Sequence, residues 1–343
     1  MGALLSTLSL PIASIFAIPM LSSWSTSLNL VFFSITWTTI AMTYAPLQIE
    51  FFAPLVIRLL LYILPATLFL LFDLAIPSLA VELKAQGEYG LPGRVGRKKL
   101  SRVVAWSCFN ILLGVTIQAA IEYVVTDVLR LRSVLAIKGG AWSMNHLPSP
   151  WTMVKNISEG LVLRNVLQYY IHTKLLHSPS NTRLTQWHQT WCHSIRTPFA
   201  FTAAYDHPVC YLLHKFLPIY LPAVVFRFHI MAYILLLSIF SLEEVFTHSG
   251  YNVFPSTIML RGMARRTDAH MMSQGKGNFA PVGVLDWAHG TSLGADVMDD
   301  VQEEMEKHDV QQRAGKAANN VGGAIDDGVS KLKGRAKRGR GKK

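Results

Sequence analysis

The chain has 343 residues, 51% of them hydrophobic and only 15% charged, with a mean hydropathy of +0.30. That is too apolar and too sparsely charged for an ordinary soluble protein of this length, so a membrane protein is the expected class. The net charge of +11 comes from 32 Lys and Arg against 21 Asp and Glu. Much of the excess lies in one loop and in the last dozen residues, with no nucleic-acid-binding motif and no interleaved aromatics, so anionic lipid rather than nucleic acid is the expected partner.

Apolar runs long enough to cross roughly 30 Å of hydrocarbon fall at residues 4–21, 28–44, 53–76 and 103–125, and a longer one covers 199–240. The first is short, holds Pro11 and Pro19 and lacks a basic leader, so it reads neither as a cleavable signal peptide nor as a clear span. Its opening MGALLS fits the Gly2/Ser6 acylation pattern, which recurs by chance. The last run is too long for one pass and divides at FLPIYLP, where Pro218 and Pro222 predict the turn of a membrane hairpin.

Between 82 and 102 a loop carries Lys84, Arg94, Arg97, Lys98, Lys99 and Arg102 against Glu82 and Glu88, and the chain ends in KLKGRAKRGRGKK. Both basic segments are expected in the cytosol. One pass at 103–125 then leaves the chain in the lumen. Either 151–171, interrupted by Lys155, Glu159 and Arg164, returns as an amphipathic helix packed on its neighbours, or 103–125 is re-entrant. The sequon at Asn156 is usable only in the first case. The chain thus divides into an N-terminal transmembrane region (1–130), a connecting segment (131–164), a histidine-rich region (165–295) containing the hairpin 199–240, and a polar, basic, disordered tail (296–343) that does not pack on the rest.

Cys108, Cys192 and Cys210 are scattered, so neither a disulfide framework nor a zinc ribbon is indicated. Histidine is the informative residue. Of 12, only His146 and His308 lie outside 172–289, and the other ten gather beside the hairpin. Histidine near a membrane core is costly unless it is paired or bound, so such a cluster is a functional site by default. His172 and His177 are five apart, as are His188 and His193. On a regular helix that spacing turns two side chains well over 100° apart. Each pair can share one ion only where the helix ends or unwinds; otherwise it grips two ions between helices, and imidazole suits iron, zinc and copper alike.

Residues 168–294 resemble the fatty acid hydroxylase and sterol desaturase superfamily, whose histidine boxes hold two metals at the cytosolic face. His172-Thr-Lys-Leu-Leu-His177 is similar to the first box. Cys192-His193 and the following Pro198, Phe199, Tyr205, His207 and Pro208 are similar to the second and its downstream Pro-Phe and Tyr-x-His-Pro. THSGY, with His248 one turn after Glu243 and Glu244, matches His-Ser-Gly-Tyr, and DAHMMSQGKGNF matches the last box at His270, followed by Gly277-Asn278, Asp286 and Gly290-Thr291. The second box has Gln189 and Cys192, and the third Ser273 and Gln274, where the family has histidine.

The resemblance implies an all-α, multi-pass transmembrane bundle with a cytosolic histidine-rich cap, in the endoplasmic reticulum membrane. It implies a dioxygen-dependent diiron oxidoreductase acting on a lipid, sterol or other apolar substrate, with two irons and electrons from a separate cytochrome b5 or reductase. The expected ligands are His172, His177, His188, His193, His248 and His270. Cys192, His207, Glu243, Glu244, Asp206, Asp268, Gln274 and Asp286 are possible supporting residues, with Gln189 and Gln274 orienting neighbouring rings. His214 reads instead as a helix-end histidine with a backbone partner, and His289 as incidental. The incomplete boxes also leave open a lipid-binding or scaffolding protein that keeps the fold without turnover.

Overall fold

The structure, a computed structural model, describes residues 24–136, 148, 150–254 and 257–307. The apolar run 4–21, the acylation pattern, His146 and the chain beyond 307 lie outside them. The described residues are helical and contain no β-strand. In chain order the helices are α1 (Trp24–Thr43), α2 (Pro46–Ala75), α3 (Pro77–Leu83), α4 (Arg97–Val128), α5 (Pro150–Ile171), α6 (Arg183–Trp191), α7 (Pro208–Val225), α8 (Ile230–His248), α9 (Gly262–Met272) and α10 (Val284–His289). Helices α2, α4, α7 and α8 are long and apolar enough to cross a membrane.

Each of the two long apolar runs, 53–76 and 103–125, extends into a helix of 30 or more residues. The run 199–240 does not fold as the prolines suggest. Pro222 lies inside α7, Pro218 begins its last straight part after a π-type turn at Leu212–Phe216, and the hairpin turns instead at residues 226–229, where Arg227 takes φ 48°. Pro218 stands in the first turn after the wider π-type turn, where a proline is tolerated, and the helix continues through Pro222. The hairpin therefore comprises α7 and α8, and residues 199–207 are a separate buried loop.

Helix α5 occupies the segment whose crossing the sequence left open. Its 22 residues span about 33 Å, and it packs on α7 and α8. Gly160 faces Leu236 and Phe228 so closely that a Cβ there would overlap Leu236. Its charged Arg164 is buried, paired with Glu243 of α8 at 2.7 Å and laid over the Phe240 ring. The bundle has two distinguishable ends. At one, Ala136 bridges His229 beside the hairpin turn. At the other, Lys84 bridges Tyr251, Lys99 donates to the Ser194 carbonyl and Thr197 to that of Tyr89.

Lys84 is not a surface charge of the basic loop. It is buried, 2.9 Å from Asp73 and 2.8 Å from the Ser249 carbonyl, and so ties the end of α2 to the chain leaving α8. The expectation of an unpacked, disordered segment from 296 does not hold for residues 296–307. Residues 297–307 are helical, with the Asp296 side chain capping the Met298 amide, and Asp300 is fully buried between Arg265 and Arg266 of α9. Two adjacent guanidiniums that reach one point call for a carboxylate, which hydropathy periodicity cannot reveal.

A second buried pair joins α2 to α8: Arg58 donates to Glu244 at 2.6 Å, both nearly inaccessible. Removing one partner strands the other charge and costs about 3–5 kcal/mol, whereas replacing both by apolar side chains is close to neutral. Arg58→Met should therefore lower the melting temperature of the detergent-purified protein sharply, and Arg58→Met/Glu244→Leu should restore most of it. Equal losses in the single and double variants would contradict a paired role.

Candidate metal centre

Five imidazoles meet at the end of the bundle that holds the basic loop. One ligand atom from each of His172, His177, His188, His193 and His270 lies within 4.8 Å of every other. The local backbone explains how residues five apart converge. Helix α5 continues into a π-type turn at His172–Leu176, closed by a 2.9 Å bond from the His177 amide to the His172 carbonyl. A π turn advances the chain by more residues per revolution than an α turn, so positions i and i+5 return to one face. The two rings then sit 4.8 Å apart.

Helix α6 begins where the Thr182 hydroxyl caps the Thr185 amide. It ends in a tighter 3-10 turn at Cys192–Ser194, which swings His193 back towards His188, ring centroids 4.9 Å apart. His270 comes from the last turn of α9. There Ser273, Gln274 and Gly275 reverse the chain, the latter two at φ 57° and 84°. Gly275 is required twice over: its φ is left-handed, and a Cβ would stand 2.0 Å from the His177 ring.

Three rings commit Nδ1 to the protein and turn Nε2 inward. His172 Nδ1 is 2.7 Å from the Phe279 carbonyl, His270 Nδ1 2.7 Å from the Gly277 carbonyl and His188 Nδ1 2.6 Å from Asp206. Inside, His172 and His188 bring their Nε2 atoms to 3.3 Å, and His177 and His193 theirs to 3.2 Å. His270 Nε2 is buried with no hydrogen-bond partner. Burial, and behind it the neighbouring rings, holds His172 and His193 well below the usual imidazole range and His177 down to about 2; burial brings His270 to about 4 against the opposing Gly277 bond. These four rings are therefore neutral near pH 7, the form in which imidazole ligates a metal. Buried, converging neutral donors with an orphaned nitrogen fit a metal ion, and such a donor set suits iron.

The loop 199–207 that delivers Asp206 is irregular backbone inside an apolar bundle, and membrane helices satisfy it. Tyr62 of α2 accepts from the Ala204 amide; Ser107 of α4 donates to the Phe201 carbonyl at 2.7 Å and Asn110 to those of Ala204 and Asp206. Polar residues inside the run 103–125 were the available signal for these supports. On the other side Asp286, fully buried, accepts from the Phe279 and Ala280 amides and from Thr291. It thus anchors the backbone whose carbonyl holds His172. Asn278 pairs both ways with Leu293.

A cavity of about 40 Å³ adjoins the cluster, walled in part by Gln168, Cys192, His214, Lys215, His248 and Met271. His248 is in this wall but outside the group of five; its Nδ1 lies 3.0 Å from the Glu244 carbonyl one turn back. His214 belongs here too, contrary to the helix-end reading. Its ring centroid is 4.1 Å from that of His172 and its Nε2 3.2 Å from the Gln168 amide nitrogen.

Other candidates have different duties. Glu243 and Glu244 pair with Arg164 and Arg58. His207 caps the Val209 amide and stacks on Trp187. Asp268 lies on the opposite face of α9, lining a separate cavity of about 610 Å³, where burial raises its carboxyl to about 7. Gln189 approaches His177 Nδ1 at 3.2 Å and so does orient a ring. Gln274 does not; it is an exposed turn residue. The Cys192 thiol, raised by burial, sits 3.9 Å from the Met271 sulfur. His289 bonds Tyr170 at the surface.

No solved structure matches the chain. Residues 158–291 match the family model of the fatty acid hydroxylases. That stretch contains all five converging histidines, and over it the chain is similar to the fatty acid hydroxylases.

Proposed function

We propose that the protein is an iron-dependent, dioxygen-using oxygenase that hydroxylates or desaturates a lipid, sterol or other apolar metabolite in the endoplasmic reticulum membrane. The observation that carries this reading is the convergence of five imidazoles around one point, four of them buried, with His270 Nε2 left unpartnered. A scaffold without metal would leave such a set unpaired, and unpaired buried nitrogen is costly.

His172, His177, His188, His193 and His270 would hold the iron, which when bound would supply reductive activation of dioxygen and oxidation of an unactivated C–H bond. The chain's own part is positional. Asp206 keeps the His188 proton on Nδ1 and its Nε2 free, and the Phe279 and Gly277 carbonyls do the same for His172 and His270. Ala203, Met271, Phe279 and Pro281 wall the adjoining cavity and keep bulk water out. No His-Pro-Gly-Gly haem element occurs in the chain, so electrons would come from a separate donor such as cytochrome b5.

The cluster shares its end of the bundle with Lys99 and the loop around Tyr89. Basic flanks favour the cytosol, which supports a cytosolic cluster, with α5 returning the chain from the lumen. In sealed microsomes, protease should remove a tag fused at the C-terminus; a protected tag would contradict this orientation.

Activity is tested with membranes carrying the chain, supplied with NADH, a cytochrome b5 reductase system and dioxygen. Lipid extracts should show a species gaining one oxygen or losing two hydrogens, absent with His270→Ala. Lipids unchanged by the intact protein, together with a metal-free site, would refute the proposal. Metal analysis of purified variants should show His193→Ala and His270→Ala losing most of the metal, and Asp206→Asn binding it about 10–100-fold more weakly. Gln274→Ala and His289→Ala, both at the surface, should match the parent; a large loss in Gln274→Ala would mean that the turn after α9 carries a ligand, and one in His289→Ala that α10 does.

A further inference from the structure

We infer that this site takes one metal ion, not the two that the resemblance implies; the inference rests on the metal-dependent reading above. Two ligands on the same ion, each about 2.0–2.1 Å from it, stand about 3.0–3.4 Å apart when adjacent and about 4.2 Å apart when opposite. The donors of His172, His177, His188, His193 and His270 all fall within 4.8 Å of one another, and the two closest Nε2 pairs are 3.2 and 3.3 Å apart. The two close pairs have the spacing of adjacent ligands on one centre, and the 4.8 Å that bounds the whole set exceeds the opposite-ligand distance by only a few tenths of an ångström. Two ions several ångströms apart would divide the rings into separate groups.

The donors a second ion would need are absent from the positions where the family keeps them. Gln189 is turned to His177 Nδ1. The Ser273 hydroxyl donates to the His270 carbonyl at 3.1 Å. Gln274 is exposed in a left-handed turn. Cys192 does approach His188 and Asp206, but that trio has no imidazole of its own: His188 already belongs to the five, and its Nδ1 holds Asp206. Among the described residues, the other two histidines of the cavity wall, His214 and His248, belong to no group of converging ligand atoms. The cavity of about 40 Å³ has room for about one water-sized guest.

The test uses the full-length chain purified in detergent, loaded anaerobically with ferrous iron, desalted, and analysed for iron by mass spectrometry against protein by amino-acid analysis. The expected result is about one iron per chain, reduced to a small fraction in His177→Ala. After oxidation, the iron should give the electron paramagnetic resonance signal of an isolated high-spin ferric ion rather than the silence of a coupled pair. Two irons per chain would overturn the single-ion inference and leave the oxygenase reading standing. No iron in a monodisperse, cooperatively melting sample would overturn both. Ser273→His/Gln274→His should still bind one iron, because the turn directs position 274 to solvent; a rise to two would show that these positions reach the site.

Discussion

A buried imidazole has two nitrogens, and each must face something. In this protein three of the five clustered rings settle Nδ1 on a carbonyl or carboxylate of the protein itself, which fixes both tautomer and ring direction. Everything else in the site follows from that constraint. Once Nδ1 is held, Nε2 has only the interior to face, and five rings brought to one place become a donor set rather than a collection of core histidines.

The groups that hold Nδ1 in these three rings all lie on irregular backbone in an apolar bundle, two as loop carbonyls and one as the carboxylate of Asp206. Such backbone is tolerated at membrane depth only where protein groups satisfy it. Tyr62, Ser107 and Asn110 do this for the loop bearing Asp206, and Asp286 and Asn278 for the loop presenting the Phe279 and Gly277 carbonyls. The polar residues of the spanning helices are thus part of the site although none touches a histidine ligand atom. The buried pairs Arg58–Glu244 and Arg164–Glu243 brace α2 and α5 against α8 in the same region. Their carboxylates are committed to guanidiniums, which leaves the cluster an all-imidazole set with Asp206 behind it.

Sequence reading recovered the helical class, the principal spans and the five converging histidines, because apolar length and residue identity carry that information directly. It recovered the condition for His172 and His177 to meet, a helix that unwinds, but not the device, since a π turn leaves no composition signal in HTKLLH. It failed where tertiary contact overrides a local rule. Pro218 and Pro222 predict a break, yet the helix continues through both. His214 has no spacing relation to the boxes and joins them only through the packing of α7 on α5. The helical stretch 297–307 is rich in charge and is held by Asp300 between two arginines, a contact that hydropathy does not reveal. Gln274 occupies a ligand position of the family motif, yet a left-handed turn places it in solvent.

The same geometry explains why the cluster survives replacement of four box histidines. The groups that orient His172, His188 and His270 are Phe279, Asp206 and Gly277, and none of these is a replaced position. Only Gln189, facing His177, stands at one, and an amide can still occupy the place beside Nδ1. Changing Ser273 and Gln274 therefore removes donors without releasing the rings that remain. The turn itself cannot drift, because Gly275 packs its backbone on the His177 ring where any Cβ would collide. Loss of ligands and loss of the site are separate events in this fold: the first depends on which side chains face the centre, and the second on the carbonyls and carboxylate behind them.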